Sequence, residues 1–432
     1  MRNARRLSEL DCRWFLLALG LMAGVSRADT AGPGLLDYLR ACGIGDDAFA
    51  RFADDRQIAA EELDVIRRIA VRLRDCPELG RIANLPIVGK AGNLPHVGEK
   101  LPSAAEAKSQ RGRMFQLQGS VVSVEPVEDP NSEPLWRCTL AMTESPRRVV
   151  VYVADLTEKL RTHGAGQHVA LDGVFAKYVP GATAEPMAVV VAPRLEHRPD
   201  SPLGNLGMDF GLFEGIRDGA PMTAADHDAF YRLLRLTRKA DSARFDHDAE
   251  RLDESFAGLP ALFRDPASQR GRLVKVSGMA RRVVRVPIDD PAVVSRLGAD
   301  HYFEIDVVAE GSQGNPLVFC TSDLPVDMPL GGPPSYGESV EVTGFFLKNW
   351  QYRTALSEGE KAANPGSFQA LQAAPLVIGA APLWKRAVAE KKNTTASAVA
   401  GLLVLVMIGV CLLLWHLRQT DQEFSRQVFA RE

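Results

Sequence analysis

At 432 residues, 46% hydrophobic and 24% charged, the chain is too long for one ordinary domain and too apolar to be disordered. Its net charge of −3 excludes a global basic field of the kind that gathers nucleic acid or acidic lipid nonspecifically.

In chain order, Arg2, Arg5, Arg6 and Arg13 precede an apolar run, Trp14–Val25, and Ser26 and Ala28 supply small residues. That layout predicts a secretory signal over 1–28. Residues 29–82 read as an N-terminal helical region, in which Leu63, Ile66, Ile69 or Ala70, and Leu73 recur at helical spacing. Cys42 and Cys76 each close a helical stretch, and a disulfide between them would staple the two in an oxidising compartment. There is no CxxC, so neither a zinc ribbon nor a dithiol redox site is indicated. Residues 83–108 form a Pro/Gly linker with a tandem echo at Asn84 and Asn93, and without a phosphate-loop GxxxxGK[ST].

The pentapeptide SQRGR then occurs twice, at Ser109–Arg113 and Ser268–Arg272, 159 positions apart. The strand-like stretches that follow place Gly119 and Gly278 at the same separation. A later pair of blocks, Gly166–Tyr178 and Gly337–Asn349, aligns Gly173 with Gly344 and Lys177 with Lys348, now 171 apart. Two aligned blocks in one order mark an internal repeat. Period-two alternation gives five strands per copy. They are Met114–Val124, Trp136–Met142, Arg147–Val153, Gln167–Tyr178 and Ala188–Val191, then Leu273–Val286, Tyr302–Val308, Leu317–Thr321, Ser339–Lys348 and Leu376–Ile378. Five strands with an insert after the third predict a small barrel of the OB type in residues 109–195 and again in 268–382.

Between the barrels lie a linker, 196–220, and a second helical region, 221–267. There Phe230, Leu233, Leu234 and Thr237 share a face, and Thr223 with Asp226 forms a capping box. After a juxtamembrane segment, 383–395, comes an uncharged run that predicts one transmembrane helix over 396–417, with a cytoplasmic tail, 418–432. The expected fold is thus mainly β with helical segments (α+β): two tandem five-stranded OB-like barrels, each preceded by helices, plus the C-terminal transmembrane helix. With the signal, this places the bulk of the chain outside the cytoplasm (periplasmic or equivalent), in single-pass type I topology.

Chemistry is sparse. The two Asp-His-Asp triplets, at Asp226–Asp228 and Asp246–Asp248, put neighbouring residues on different helix faces and read as solvated acids, not metal ligands. No GxSxG, HExxH or Ser-x-x-Lys nucleophile setting has supporting context. Aromatics interleaved with cations on a barrel can stack a ligand, which singles out Phe345, Trp350, Tyr352 and Arg353, with Arg281 and Arg282 as anionic contacts. The expectation is a membrane-anchored, extracytoplasmic, non-catalytic binding or scaffolding protein without a cofactor. The alternative is an accessory subunit or hydrolase of the cell envelope whose site one sequence does not display. Expected partners are the membrane and another envelope protein or a glycan, with no nucleic acid.

Overall fold

The computed structural model describes residues 39–75, 101–129, 132–143, 145–181, 185–240, 258–309, 312, 314–355, 369–386, 402–415 and 418. It is a mixed α+β structure with two six-stranded sheets. In the first, β1 (Met114–Pro126), β2 (Trp136–Met142), β3 (Arg148–Asp155), β4 (His168–Val179), β5 (Met187–Arg194) and β6 (Glu196–His197) run in the order β1-β2-β3-β5-β4-β6. Pairing of β1 with β4 closes five of them into a barrel, with β3 and β5 parallel. The second sheet holds β7 (Leu273–Pro287), β8 (His301–Ala309), β9 (Leu317–Thr321), β10 (Glu338–Ala355), β11 (Gln369–Gly379) and β12 (Leu383–Lys385). Its order, β11-β9-β8-β7-β10-β12 with β11 also on β10, repeats the pattern of the first.

The repetition extends to register. Phe115 faces Gly173 and Gly119 faces Val169; Val274 faces Gly344 and Gly278 faces Val340, each at the offset read from sequence. Bulges recur as well, between Val121 and Ser123 and between Ala280 and Arg282 on the first strands. On the fourth strands they fall between Phe175 and Lys177 and between Phe346 and Lys348. Such bulges bend a strand sharply enough to turn a barrel's corner. Gly119 and Gly278 serve that bend by close approach: a Cβ there would lie 2.4 Å from the Ala141 carbonyl oxygen and 2.6 Å from that of Val308.

Each barrel has an inner core and a second core under a helix. Phe115, Leu140, Val151, Phe175 and Val190 fill the first interior, and Val276, Ile305, Phe319, Phe346 and Val377 the second. Helix α1 (Ala60–Asp75) lays Val65, Ile66, Ile69, Ala70 and Leu73 on Val150, Tyr152, Val189 and Val191 of β3 and β5. Strand β3 is therefore buried on both faces, and its sequence is an apolar run in place of an alternation. Helix α2 (Glu158–His163) is the short insert after β3, and α3 (Ala224–Lys239) repeats α1, with Phe230, Leu233 and Leu234 over Cys320, Leu376 and Ile378. Helix α4 (Leu259–Arg264) precedes the second SQRGR, and α5 (Pro291–Leu297) fills the longer β7–β8 connection.

Helix and barrel are joined by the same polar device in both units. The carboxylate at the third helical position accepts the N-cap backbone N–H and a lysine from the fourth-strand bulge. In unit one Glu62 accepts the N–H of Ala59 at 2.9 Å and Lys177 Nζ at 3.0 Å; in unit two Asp226 accepts Thr223 N–H at 2.7 Å and Lys348 Nζ at 3.1 Å. All four side chains are buried. Burial alone would raise the Glu62 carboxyl, but backbone N–H groups of Ala53 and Ala59 and the Lys177 ammonium hold it below its usual value.

The repeated SQRGR belongs to the same frame. Arg111 pairs with Asp54, which also accepts the Tyr178 N–H; Arg270 pairs with Asp218, which accepts the Asn349 N–H. Gly112 and Gly271, at φ 78° and 79°, are the left-handed turns that lead into β1 and β7.

Residues 402–415 form an apolar helix whose large side chains are half or more exposed. Among the described residues no helix is long and apolar enough to cross a membrane. The span expected over 396–417 is described only at 402–415, a helix of roughly 21 Å against a hydrocarbon core of about 30 Å. The expected signal and the Asn84/Asn93 echo lie outside the described residues.

Candidate binding face of the second barrel

The two units differ most in their fourth strands. Strand β4 ends at Val179, whereas β10 continues to Ala355 against β11, seven residues past the expected end at Lys348. The extension carries Trp350 and Tyr352, whose rings pack 5.6 Å apart at 45° and partly bury against the apolar cluster under α3. The Tyr352 hydroxyl donates to Gln372 Oε1 across the hairpin at 3.3 Å.

Beside this extension, the outward positions of β7 and β8 hold Arg282, Glu304 and Asp306. Arg282 Nη1 donates to Glu304 Oε1 at 2.6 Å and to Asp306 Oδ2 at 3.3 Å. Burial would lower the guanidinium, yet the Glu304 hydrogen bond and both carboxylate charges raise it overall. Asp306 moves upward because burial outweighs Arg282. The Tyr352 phenol is also raised, by burial first and then by Asp306, with Arg282 opposing. The Tyr352 phenol thus lies within electrostatic reach of Asp306, Arg282 and Glu304.

Of the residues expected to form a ligand surface, Arg282, Trp350 and Tyr352 come together here. Phe345 does not: it is fully buried between barrel and α3, because its side of β10 faces the helix, and it is a core residue. Arg282 is corrected in role, since two carboxylates already neutralise it and no charge is left for an anion. Arg281 is the exposed extra residue of the β7 bulge, and the Arg353 side chain lies outside the described residues. Cys42 is a half-buried thiol, and Cys76, its expected partner, lies outside the described residues. Glu304 and Asp306 escaped the sequence reading, although the alternation of HYFEIDVV puts both on the outward side of β8 opposite Arg282.

The face therefore offers two aromatic surfaces and carboxylate acceptors at the edge of a satisfied ion pair. It suits hydrogen-bond donors and apolar groups better than anions. A separate cleft of about 310 Å³ lies at the barrel's end, lined by Leu259, Pro260, Phe263, Leu317 and Pro375, and shares none of these residues. Among the described residues no group of three or more His, Cys, Asp or Glu could hold a metal ion. Asp226 of the first Asp-His-Asp triplet serves the helix–barrel pairing, and the second triplet lies outside the described residues.

No family model and no curated protein matches the chain. Among solved structures, the wild-type single-stranded DNA binding protein from Thermus aquaticus is similar at 10% identity and a TM-score of 0.16, covering 66% of this chain and 98% of that one. The p202 HIN1 domain in complex with 12-mer dsDNA matches at 9% identity and 0.13, over 64% of this chain and 94% of that one. The Ifi202 HINa domain in complex with 20bp dsDNA matches at 10% and 0.13, over 62% and 92%. The expected partner set, membrane and an envelope protein or glycan without nucleic acid, finds no counterpart in these matches, whose subjects are a single-stranded DNA binding protein and two domains in complex with dsDNA. At such TM-scores they assign no ligand to this chain, and its fold rests on its own strand pairing.

Proposed function

We propose that this chain is a membrane-anchored, extracytoplasmic, non-catalytic binding or scaffolding protein, in which the second barrel carries the recognition face. One observation carries the reading. The units share their core, bulges and buried ion pairs, and diverge at the end of the fourth strand, where Trp350 stands in place of Val179 and β10 runs five residues past its counterpart to carry Tyr352, within electrostatic reach of Arg282, Glu304 and Asp306. Shared positions are accounted for by cohesion within each unit; the added hairpin is not needed to close a barrel. The apolar side chains of 402–415 support anchoring, because so many exposed in one helix would be costly in water.

A photo-crosslinking residue in place of Tyr352, in the full-length protein in its own cells, is expected to give a discrete adduct. The same residue in place of Arg148, exposed on the first barrel, should give none. Equal labelling at both positions, or none at either, refutes the reading of this face. Alkaline carbonate should leave the intact chain with the membrane fraction and release a chain lacking 396–417; release of the intact chain refutes the anchor.

A further inference from the structure

A second polar cluster lies where the two units meet. Strand β5 ends at Arg194, β6 begins at Glu196, and Arg198 follows β6; helix α3 carries Arg232 and Arg235 within electrostatic reach of them, and α5 adds Arg296. Arg194 pairs with Asp209 and Arg198 with Glu196. The other three arginines form no ion pair with a carboxylate among the described residues, although Glu196 lies within electrostatic reach of Arg232 and Arg235. Arg232 donates through Nη2 to the Gly207 carbonyl at 2.9 Å, while its Nε is buried without a hydrogen-bond partner among the described residues. Arg296 reaches only the Ala292 carbonyl, at 3.2 Å. Arg235 makes no hydrogen bond or ion pair among the described residues, though it is half-buried. Arg198 closes the cluster on the linker side, its guanidinium about 3.8 Å from where a Cβ on Gly207 would stand.

We propose that Arg232, Arg235 and Arg296, flanked by Arg198 and Arg194, form a binding site for a small phosphate-bearing solute at the junction of the two units. Five guanidinium groups meet two carboxylates here, an excess of positive charge in a half-desolvated place. Burial pushes the Arg232 guanidinium down. Burial and then the charges of Arg232 and Arg296 do the same to Arg235. Clustering like charges costs energy unless a counter-charge is present. A tetrahedral dianion matches the need, because guanidinium N–H groups arrive from three elements and bind phosphate oxygens as paired, charge-assisted donors.

The test uses inorganic phosphate, and glycerol phosphate as a monoester, titrated against the full-length protein in detergent at constant ionic strength with chloride as the balancing anion. Phosphate is expected to raise the melting temperature, and Arg235→Gln and Arg232→Gln to weaken its apparent affinity by roughly tenfold or more each. Arg235→Gln should also leave the anion-free protein as stable as the parent or more so, because repulsion is relieved. A stronger response to glycerol phosphate than to phosphate identifies a monoester as the ligand; the reverse identifies the free ion. Identical responses to phosphate and chloride, or a loss of stability in anion-free Arg235→Gln, overturn the proposal. So does a single-stranded oligonucleotide that binds through Arg235 and is not displaced by phosphate.

Discussion

Replacing Lys348 with methionine isolates the buried pair of the second unit. The side chains of Lys348 and Asp226 are 0% and 1% exposed, so the variant leaves a carboxylate in the interior without its cation. Removing one partner of such a pair costs about 3–5 kcal/mol. Two features bound the figure here. Asp226 keeps the N–H and hydroxyl of Thr223, at 2.7 and 2.9 Å, which partly compensate its charge. Methionine retains most of the lysine stem, so little cavity cost is added. The expected loss is roughly 3–4 kcal/mol at pH 7. Lys348→Met combined with Asp226→Asn should recover most of the loss, since the amide oxygen still caps α3. The assay is urea unfolding in detergent, with hydrogen exchange of α3 and β10 to locate the effect. A single-variant loss below about 1 kcal/mol, or a double variant no more stable than the single, refutes the reasoning.

Gly278→Ala puts a Cβ 2.6 Å from the Val308 carbonyl oxygen, where only backbone can yield; about 1–3 kcal/mol of destabilisation in the same urea assay is expected. Glu341 is held down to about 2, first by Lys385 and also by Lys275 and Ser277 against the opposing effect of burial. Its folded value lies below its unfolded one, so its contribution is present above pH 4.5 and is lost as pH falls toward 2; Glu341→Gln should unfold like the parent at pH 2 and be less stable at pH 6. The Cys138 thiol is pushed up to about 12 by burial and then by Glu125, and Cys320, fully buried, moves up too. Both should resist maleimide in the folded protein at pH 7 and react once it unfolds, whereas half-buried Cys42 labels without unfolding, as read by peptide mass spectrometry.

Much of this architecture is legible in the chain because it is periodic. Strand alternation, the paired glycines and the shared SQRGR each depend on residues close in sequence or identical between copies. The same offset that aligned Lys177 with Lys348 pointed at the buried pairs. Their acidic partners stayed hidden, since one unit uses Glu62 and the other Asp226, and neither offset nor spacing ties a helix residue to a strand residue more than 110 positions away. Asp226 was legible only in its other role, as the cap of α3. The ligand face was read in part for a similar reason. Trp350 and Tyr352 announce themselves by composition, whereas Phe345 has the same composition and lies inward, and only the position of α3 decides which side of β10 is covered. The charge of Arg282 could not be judged without β8 beside it.

The pairing of a helix-start carboxylate with a fourth-strand lysine also orders events during synthesis. Glu62 leaves the ribosome 115 residues before Lys177, and Asp226 precedes Lys348 by 122. Helix α1 therefore has no counter-ion until β4 has emerged, and each unit stays open until its own barrel is nearly complete. Yet β6 ends at His197 and α3 begins at Ala224, so no residue of the second unit is needed for the first to finish. The chain can close one unit before the next is made, so the two similarly folded halves need never be unfolded together, the condition in which tandem repeats exchange strands.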